Sequence, residues 1–446
     1  MIGVAISFIQ NPVLEFGLDR IAWECAFGMG RREVENFPPG TAIMEDPRGA
    51  SALVLTLLFY AAFAIGEVAC VALAINVVHG LGWKNRWHEK ATMAAVAACG
   101  LVSLEMTRRY WLVPVADWPA PLTFFALVCA FVGLVGLPIA TFARWRRGRL
   151  GAIEPRERRR VFDKAEREMF IGEGAHSWML RLPGNEALDL VTRDWTVAFP
   201  HLPPELEDLS ILHLTDLHFS RAYDRRYFET VFDIAADMPA DLVFVTGDLI
   251  DDSDCIDWVA PLLERLPGPL GRFAILGNHD YFHDTGRIAN AATSAGFSVL
   301  DGETATVEVR GRRLAVGGTC APWGRSIAAE SIPPADFSLL LSHTPDLAYE
   351  SARQGWDFML CGHNHGGQVR LPVIGPVLMP SRYSRRFEEG FYRIAPTLMY
   401  VSRGLGAKHP IRYGCAPEIS RFTLVRANLE NPREPAAALI HEAFRA

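Results

Sequence analysis

The chain has 446 residues, which exceeds the ~100 to 200 residues of one domain, so at least two structural units are expected. Hydrophobic residues make up 50% and charged residues 21% of it, which predicts an apolar region joined to an ordinary soluble domain. The net charge of -7 argues against unspecific nucleic-acid binding across the whole protein, because a phosphate backbone requires a basic surface.

Residues 1–50 form the first predicted segment. The acidic residues Glu15, Asp19 and Glu24 come early, and no basic region precedes an apolar stretch, so a cleaved signal peptide is not expected. The eight cysteines of the chain show neither a CxxC pair nor regular spacing, and we interpret them as reduced thiols.

Residues 51–143 are predicted to form a transmembrane region of two or three helices. The run 51–78 contains one charged residue, Glu67, and the run 119–143 contains none, and each is long enough to cross a hydrocarbon core of ~30 Å. Between them, 91–104 is apolar but short, and a third crossing would have to extend beyond it through charged residues. Glu67 either marks a functional polar site or is paired with a neighbouring helix, and the second interpretation is favoured.

The segment 144–208 is predicted to be a basic juxtamembrane stretch followed by a connector. Its basic cluster consists of Arg144, Arg146, Arg147, Arg149, Arg156, Arg158, Arg159 and Arg160. Directly after a span, such a cluster is ordinarily a topology determinant and a contact for anionic lipid, and this interpretation is favoured over nucleic-acid binding. Basic residues also flank the start of the short apolar run, so the whole chain after Arg144 is expected in the cytosol. Three spans would put the N-terminus outside, and two would put it inside.

From residue 209 to 426 the pattern changes to short apolar runs separated by turn residues and helical segments. The main runs are ILHLTD, DLVFVTGD, RFAILGNHD, SLLLSH, DFMLCGHNH and TLMYVSRG. Such runs suit strands that are buried on both faces, which predicts an α/β sandwich. Polar residues end most of these runs, and loops at strand ends are where such folds hold functional groups. The last segment, 427–446, is predicted to be a C-terminal tail.

The polar residues at these strand ends form an oxygen and nitrogen donor set. They are Asp216, His218, Asp248, Asn278, His279, His343, His363 and His365. Carboxylate, amide and imidazole groups without a thiolate suit Mn, Fe or Zn better than a structural zinc knot. The number of ligands exceeds what one tetrahedral ion needs, so two divalent ions are predicted. A pair of cations can activate a shared water and stabilise both oxygens of an in-line displacement, which is the chemistry of phosphoester hydrolysis.

These segments, in this order, resemble the calcineurin-like metallophosphoesterase family, whose pattern is DxH, GD, GNH(D/E), a lone H and GHxH. The resemblance covers residues 209–426. It implies a calcineurin-like four-layer sandwich, with two mixed β-sheets flanked by helices, which the α-helical transmembrane region precedes. It also implies an enzyme, a metal-dependent hydrolase that acts on ester or anhydride bonds of phosphate.

The resemblance also implies a role for each matching residue. The implied ligands are Asp216, His218 and His365 for one ion, Asn278, His343 and His363 for the other, and Asp248 as the bridge between them. His279 would protonate the leaving oxygen or neutralise phosphoryl charge, with a neighbouring carboxylate that orients it. Asp251 is the first candidate for that carboxylate, and Asp280 is the alternative.

Three later segments narrow the resemblance. GHNHGGQVRLP, SRGLG and PIRYGCAPEI resemble the bacterial membrane-associated branch of the family, which includes UDP-2,3-diacylglucosamine hydrolases and cell-envelope phosphodiesterases. Within them, Arg403 and Arg412 could bind substrate phosphate through a planar fork or could pair with carboxylates, and Gly404 would allow a close backbone approach to the site. We therefore expect a multi-pass protein of the bacterial inner membrane with a cytoplasmic catalytic domain.

Three functions follow from these patterns. The favoured one is a membrane-anchored phosphoesterase that acts on a phosphorylated small molecule or lipid, including lipid-linked or nucleotide-lipid substrates. The second is a broad-specificity phosphodiesterase or phosphatase for soluble substrates. The third, of another class, is a membrane receptor or transport component whose metal site is vestigial.

Overall fold

The computed structural model describes residues 47–80, 87–110, 117–146, 155–328 and 332–427. The chain divides into two compact units, Met1–Ala61 and Ala62–Ala446, and every contact given below lies within the second unit. The predicted N-terminal segment, apart from its last four residues, and the predicted C-terminal tail, apart from its first residue, lie outside the described residues.

Apolar helices precede the first strand. They are α1 (Pro47–Gly80), α2 (Trp87–Tyr110), α3 (Ala120–Phe131) and α4 (Leu137–Arg146), and a π-helical turn (Val132–Gly136) joins the last two. By length and composition, Val54–Val78 and Ala120–Trp145 could each cross a membrane, whereas Thr92–Met106 is a shorter apolar helix. The two longer predicted spans thus coincide with helices of spanning length, and a third crossing stays a prediction.

Glycines let α1 approach the last apolar segment closely. A Cβ atom on Gly66 would lie 1.6 Å from a carbonyl oxygen of α3, and a Cβ atom on Gly133 would lie 2.4 Å from the carbonyl oxygen of Ala62. Such close backbone packing requires glycine, as between helices in membranes. Glu67 of α1 accepts a hydrogen bond from the Ser103 hydroxyl of α2. The acidic residue of the first span is therefore paired with a neighbouring helix.

The C-terminal part of the chain alternates strands and helices. In chain order the strands are β1 (Arg156–Arg160), β2 (Leu190–Phe199), β3 (Ser210–Leu214), β4 (Leu242–Thr246), β5 (Gly271–Ile275), β6 (Ser298–Val299), β7 (Glu303–Val309), β8 (Arg312–Thr319), β9 (Phe337–Ser342), β10 (Phe358–Cys361), β11 (Arg370–Leu371), β12 (Gly375–Pro376), β13 (Gly390–Ile394), β14 (Thr397–Val401) and β15 (Glu418–Arg426). The α-helices among them are α5 (Lys164–Phe170), α6 (Arg225–Ala236), α7 (Ile256–Leu263), α8 (Thr285–Ser294) and α9 (Ala348–Gln354).

Two mixed sheets form the centre of this domain. The first has the strand order β1-β2-β15-β3-β4-β5-β6 and the second has the order β13-β14-β10-β9-β8-β7, while β11 pairs with β12. Phe244 and Phe273 of the first sheet share one buried core with Leu339 and Phe358 of the second. Val243 and Val245 of the first sheet belong to a second buried cluster, which includes Val231 and Phe232 of α6, because side chains alternate between the two faces of a strand. The predicted α/β sandwich of two sheets flanked by helices is confirmed.

The segment predicted as a connector contributes to the first sheet. Strand β2 pairs in parallel with β15 along the full length of β15, and β1 pairs with β2 in the antiparallel direction. The sheet therefore begins at Arg156 rather than near residue 209. Four arginines of the predicted juxtamembrane cluster belong to β1, whose side chains are all exposed. A charged edge strand of this kind resists pairing with another chain.

Parallel strands bring their carboxyl ends to one edge of the sandwich. Strands β3, β4 and β5 run parallel in the first sheet, and β9 and β10 run parallel in the second. The loops that follow these five strands therefore meet at the same edge. Each of the predicted metal ligands lies on one of these loops.

Candidate metal centre

The structure brings all seven predicted ligand residues together. The predicted ligands fall into two groups whose donor atoms lie within 4.8 Å of one another, namely Asp216, His218, Asp248 and His365 in one, and Asp248, His343 and His363 in the other. The Oδ1 atom of Asn278 lies 2.9 Å from Nε2 of His343 and adds an oxygen donor to the second group. Asp248 belongs to both groups, which is the position implied for a bridging carboxylate.

Nitrogen and oxygen donors face one another across this edge at short distances. Nε2 of His218 lies 3.0 Å from Nε2 of His365 and 3.4 Å from Oδ2 of Asp248. In the second group, Nε2 of His343 lies 3.3 Å from Oδ2 of Asp248 and 3.1 Å from Nδ1 of His363. Ring nitrogens and carboxylate oxygens at such distances form the donor set that divalent Mn, Fe or Zn ions accept.

The second nitrogen of most of these rings donates a hydrogen bond to a nearby oxygen. His343 donates from Nδ1 to the Thr246 carbonyl over 2.8 Å, and His363 donates from Nε2 to the Pro380 carbonyl over 2.7 Å. His218 donates from Nδ1 to a carboxylate in the same way. Each bond fixes the tautomer, so the lone pair of the other nitrogen points into the site. Burial lowers the pKa of His363 to about 3, which keeps that ring neutral. The residues therefore fit a pair of divalent cations.

Strained backbone conformations concentrate at this centre. Asp216, His218, Asp248, His363 and His365 have positive φ angles of 52°, 46°, 53°, 68° and 47°. Such angles are uncommon for residues other than glycine, and they persist where the surrounding structure imposes them. The backbone amide of His218 donates to the Asp248 carbonyl over 2.9 Å, which ties two of these loops together. The donor side chains are thus held in place by the loops before any ligand binds.

His279 and Asp251 form a pair beside the donors. Nδ1 of His279 lies 2.5 Å from Oδ1 of Asp251, and the other oxygen of Asp251 accepts from His218 over 2.9 Å. Burial lowers the pKa of His279, but the charges of Asp251 and Asp248 and the hydrogen bond to Asp251 outweigh it and raise that pKa to about 9. The contact with Asp251 therefore favours the positively charged form of the ring, whose side chain is 21% exposed. The structure provides the predicted contact between His279 and Asp251.

Asp280, the alternative partner of His279, lies elsewhere. Its buried carboxylate accepts hydrogen bonds from the backbone amides of Leu249, Ile250 and Gly277. These bonds join the loop after β4 to the loop after β5, so Asp280 holds two ligand-bearing loops in register. Burial and the charge of Asp248 raise the pKa of Asp280 to about 7. The position of Asp280 next to His279 in the sequence did not predict that Asp280 would join these two loops.

Arg412 lies behind the donors rather than at an open surface. Its guanidinium is fully buried, donates to the carbonyls of Arg403 and Gly406 over 2.9 and 2.7 Å, and lies 3.1 Å from Nδ1 of His365. Because internal acceptors occupy the planar fork, these contacts favour positioning of His365 over the predicted contact with substrate phosphate.

Arg403 and Gly404 are also placed behind the donors. Arg403 pairs with Glu389 and lies 3.7 Å from a carboxylate oxygen of Glu418, and it does not line the cavity described below. Of the two alternatives for this arginine, the structure favours pairing with carboxylates. A Cβ atom on Gly404 would lie 2.5 Å from Cβ of Asp216, and φ of Gly404 is +70°. Gly404 thus makes the predicted close approach, directed at a ligand residue.

A cavity of about 740 Å³ opens from the metal centre towards the apolar helices. Its inner wall includes donor residues of both groups together with His279. Its outer wall includes Ile75 and Val78 of α1, Thr92 and Met93 of α2, and part of the loop 377–384. Phe282 and Trp323 also line it, with ring centroids 5.9 Å from His279 and 5.2 Å from His363, respectively. The volume lies within the ~300 to 1,000 Å³ that small-molecule sites occupy.

Asn76 is a site-supporting residue that the sequence interpretation missed. Its Oδ1 atom accepts from the Met379 amide over 2.7 Å, and its amide nitrogen donates to the Ser384 hydroxyl over 3.2 Å. The loop held in this way also supplies the Pro380 carbonyl that accepts the hydrogen bond from Nε2 of His363. Asn76 is only 3% exposed. A polar amide within an apolar span is the same signal as Glu67, and it could have been found in the sequence.

The family model for calcineurin-like phosphoesterases matches residues 209–367 of the chain. This range contains every ligand residue of both donor groups. It also contains His279 and Asp251.

Relatives of the chain extend the similarity beyond that range. An uncharacterized metallophosphoesterase of Bacillus subtilis (strain 168), YkuE, is 31% identical over 251 residues, which cover 53% of this chain and 86% of YkuE. Phosphodiesterase YaeI of Escherichia coli (strain K12) is 30% identical over 225 residues, 48% of this chain and 82% of YaeI. A transmembrane protein with metallophosphoesterase domain from Bos taurus is 28% identical over 261 residues, 52% of this chain and 57% of that protein.

Proposed function

The chain belongs to the calcineurin-like metallophosphoesterase family, and we propose that it hydrolyses a phosphoester or pyrophosphate bond at a two-metal centre while anchored in a membrane. The observation that carries this proposal is the pair of donor groups that share Asp248. One ion would be held by Asp216, His218 and His365, and the other by Asn278, His343 and His363. Two bound divalent cations would lower the pKa of a water molecule and stabilise charge on the phosphoryl oxygens.

The chain itself would supply the acid for the leaving group. His279 lines the cavity beside Asn278, and its Nδ1 atom contacts Asp251, so its Nε2–H can donate to a leaving oxygen. When the bond between phosphorus and the leaving oxygen breaks, the proton on Nε2 passes to that oxygen, and the neutral ring regains a proton from solvent. Asp251 would hold the orientation of His279 and stabilise its charge. Because Asp251 also contacts His218, it would align the acid with a ligand of the first ion.

Metal removal and reconstitution test this function. The full chain in detergent should hydrolyse a soluble aryl phosphodiester such as bis(p-nitrophenyl) phosphate, lose that activity on chelation, and regain it with Mn²⁺, Fe²⁺ or Zn²⁺. Metal analysis of the reconstituted protein should give two ions per chain. Activity that survives complete removal of metal would contradict the proposal.

We further propose that α1 and the segment Ala120–Trp145 cross the bacterial inner membrane and that the catalytic domain, residues 209–426 with strands β1 and β2, faces the cytoplasm. The length and apolar character of these helices support the crossing. The relative from Bos taurus, which is named as a transmembrane protein, supports it as well. The basic residues that follow the last span support the cytoplasmic side. A reporter fused after residue 446 tests the orientation, and a periplasmic signal would contradict it.

A lipid-linked or nucleotide-lipid substrate is the finer proposal. Membrane anchoring supports it, because an enzyme held at a bilayer meets amphiphilic phosphates at high local concentration. The alternative is a broad phosphodiesterase for soluble substrates, which activity on aryl phosphodiesters without activity on lipid phosphates would favour. A receptor or transport component with a vestigial metal site has weaker support, since all seven ligand residues converge.

A further inference from the structure

The outer end of the cavity is mostly apolar, with Asn76 and Thr92 as polar exceptions, in contrast to its metal end. Ile75, Val78 and Met93 line it from α1 and α2, and Leu378 and Met379 line it from the loop after β12. Met93 is 72% exposed and Leu378 is 48% exposed. What distinguishes these side chains from the other exposed apolar residues of the helices is that they line the same cavity as the metal ligands.

The apolar end of the cavity lies at the ends of the apolar stretches of α1 and α2. Val78 is the last residue of the candidate span Val54–Val78, and Thr92 is the first residue of the apolar stretch Thr92–Met106. Both line the cavity. The cavity mouth therefore lies where the apolar part of each helix ends, which is the level at which hydrocarbon gives way to headgroups in a bilayer.

Charge and hydrogen bonding hold the loop of the cavity mouth at that level. Asn76 of α1 binds the loop through Met379 and Ser384, as described above. At the end of α4, the Arg144 guanidinium donates to the Glu388 carboxylate over 2.6 Å. The apolar wall contributed by the loop 377–384 is thus fastened to α1, and the residues between that loop and β13 are fastened to α4.

We propose that Ile75, Val78, Met93, Leu378 and Met379 form an apolar subsite that binds a hydrocarbon chain attached to the substrate phosphate, with the chain directed towards the bilayer. This inference rests on the proposed function and adds the residues that would select substrates with a hydrocarbon chain. The phosphate is hydrolysed at the metal centre, while the chain lies between the ends of α1 and α2 and the loop. A soluble phosphodiester reaches the metals without filling this subsite.

A chain-length series tests the subsite directly. The substrates are p-nitrophenyl alkyl phosphodiesters from methyl to dodecyl, so the leaving group is constant and only the alkyl chain changes. The full protein in phosphatidylcholine nanodiscs is used, with every substrate below its critical micelle concentration. In the wild-type protein kcat/KM should rise by up to about fourfold for each methylene that enters the subsite and then level off.

Matched variants separate the subsite from simple partition into the bilayer. Val78→Trp fills the cavity, whereas Val77→Trp makes the same change at the neighbouring position, which is 46% exposed and does not line the cavity. The measured quantity is the ratio of kcat/KM for the dodecyl and methyl esters, because a general loss of activity cancels in it. Val78→Trp should lower this ratio at least tenfold relative to Val77→Trp. Met93→Trp, with Leu101→Trp on α2 as its control, repeats the test if Val78→Trp does not fold.

The outcomes are distinct. Equal ratios in each variant and its control would overturn the subsite, since partition alone would then explain the chain-length effect. A flat chain-length series in the wild-type protein would overturn it as well. Absence of metal-dependent hydrolysis of the methyl ester in the wild-type protein would overturn the proposed function and the inference that rests on it.

Discussion

The two ends of the cavity are built in different ways. At the metal end, buried side chains are held by hydrogen bonds from neighbouring loops, and five of the ligand residues adopt strained backbone angles. At the helix end, partly exposed apolar side chains surround the opening, and Asn76 ties the nearby loop to α1. Metal coordination and proton transfer require positions fixed within a fraction of an ångström, whereas binding of a flexible hydrocarbon requires only apolar surface of suitable size.

The largest effect is expected from the residue shared by both donor groups. Asp248→Ala should reduce hydrolysis to the level of the metal-free protein, because neither ion would keep its full ligand set. Metal analysis should give clearly fewer than two ions per chain. Asp254→Ala removes an exposed carboxylate from the same loop, with 75% of its side chain exposed, and should leave activity and metal content unchanged. Wild-type activity in Asp248→Ala would refute the shared position of this carboxylate.

Removal of the predicted acid should separate chemistry from metal binding. His279→Ala should lower kcat by about 10² to 10⁴-fold, the usual contribution of general acid catalysis, while metal content stays at two ions per chain. The loss should be larger for an alkyl leaving group than for p-nitrophenolate, which leaves without help from an acid. His283→Ala, at the position directly after the turn Asp280–Phe282 and in contact with Ser253, is the matched control. An equal loss for both leaving groups would contradict the acid role.

An intermediate effect is expected from Asp251, whose carboxylate contacts both the predicted acid His279 and the predicted ligand His218. Asp251→Asn should lower kcat/KM by about 10 to 100-fold, as is typical when the partner of a metal-bound histidine is changed. The charge of Asp251 raises the pKa of His279, so removing that charge lowers this pKa. Since His279 acts in its protonated form, the alkaline limb of the pH–rate profile should move to lower pH. A limb that stays in place or moves to higher pH would argue against His279 as the group that titrates.

The smallest effect is expected at the helix end. Asn76→Leu leaves the Met379 amide without its buried acceptor, which costs about 1–3 kcal/mol of local stability. Hydrogen exchange in the loop 377–384 should become faster, and KM should rise severalfold while metal content is kept. Val77→Leu provides the control on the same helix. Unchanged exchange in this loop would show that Asn76 does not hold it.

The ligand residues could be predicted from the sequence because each lies in a short local motif. The motifs from Asp216 to His365 name the ligand residues, since each lies directly at the end of an apolar run and parallel strands bring such ends to one edge. The strands β1 and β2 could not be recognised from their own residues. Strand β1 consists of arginine and glutamate residues and therefore lacks the apolar pattern of a strand. Strand β2 pairs with β15, which lies more than 200 residues later in the chain.

The sequence by itself determined the reaction class, the donor set and the presence of two long apolar segments. Only the tertiary structure decided which residues support that donor set. Asp280 braces two loops through three backbone amides, Arg412 lies behind His365, and Asn76 meets a loop 303 residues away. Ligand type is encoded in a few neighbouring residues, whereas supporting contacts depend on distances in space that no local pattern contains.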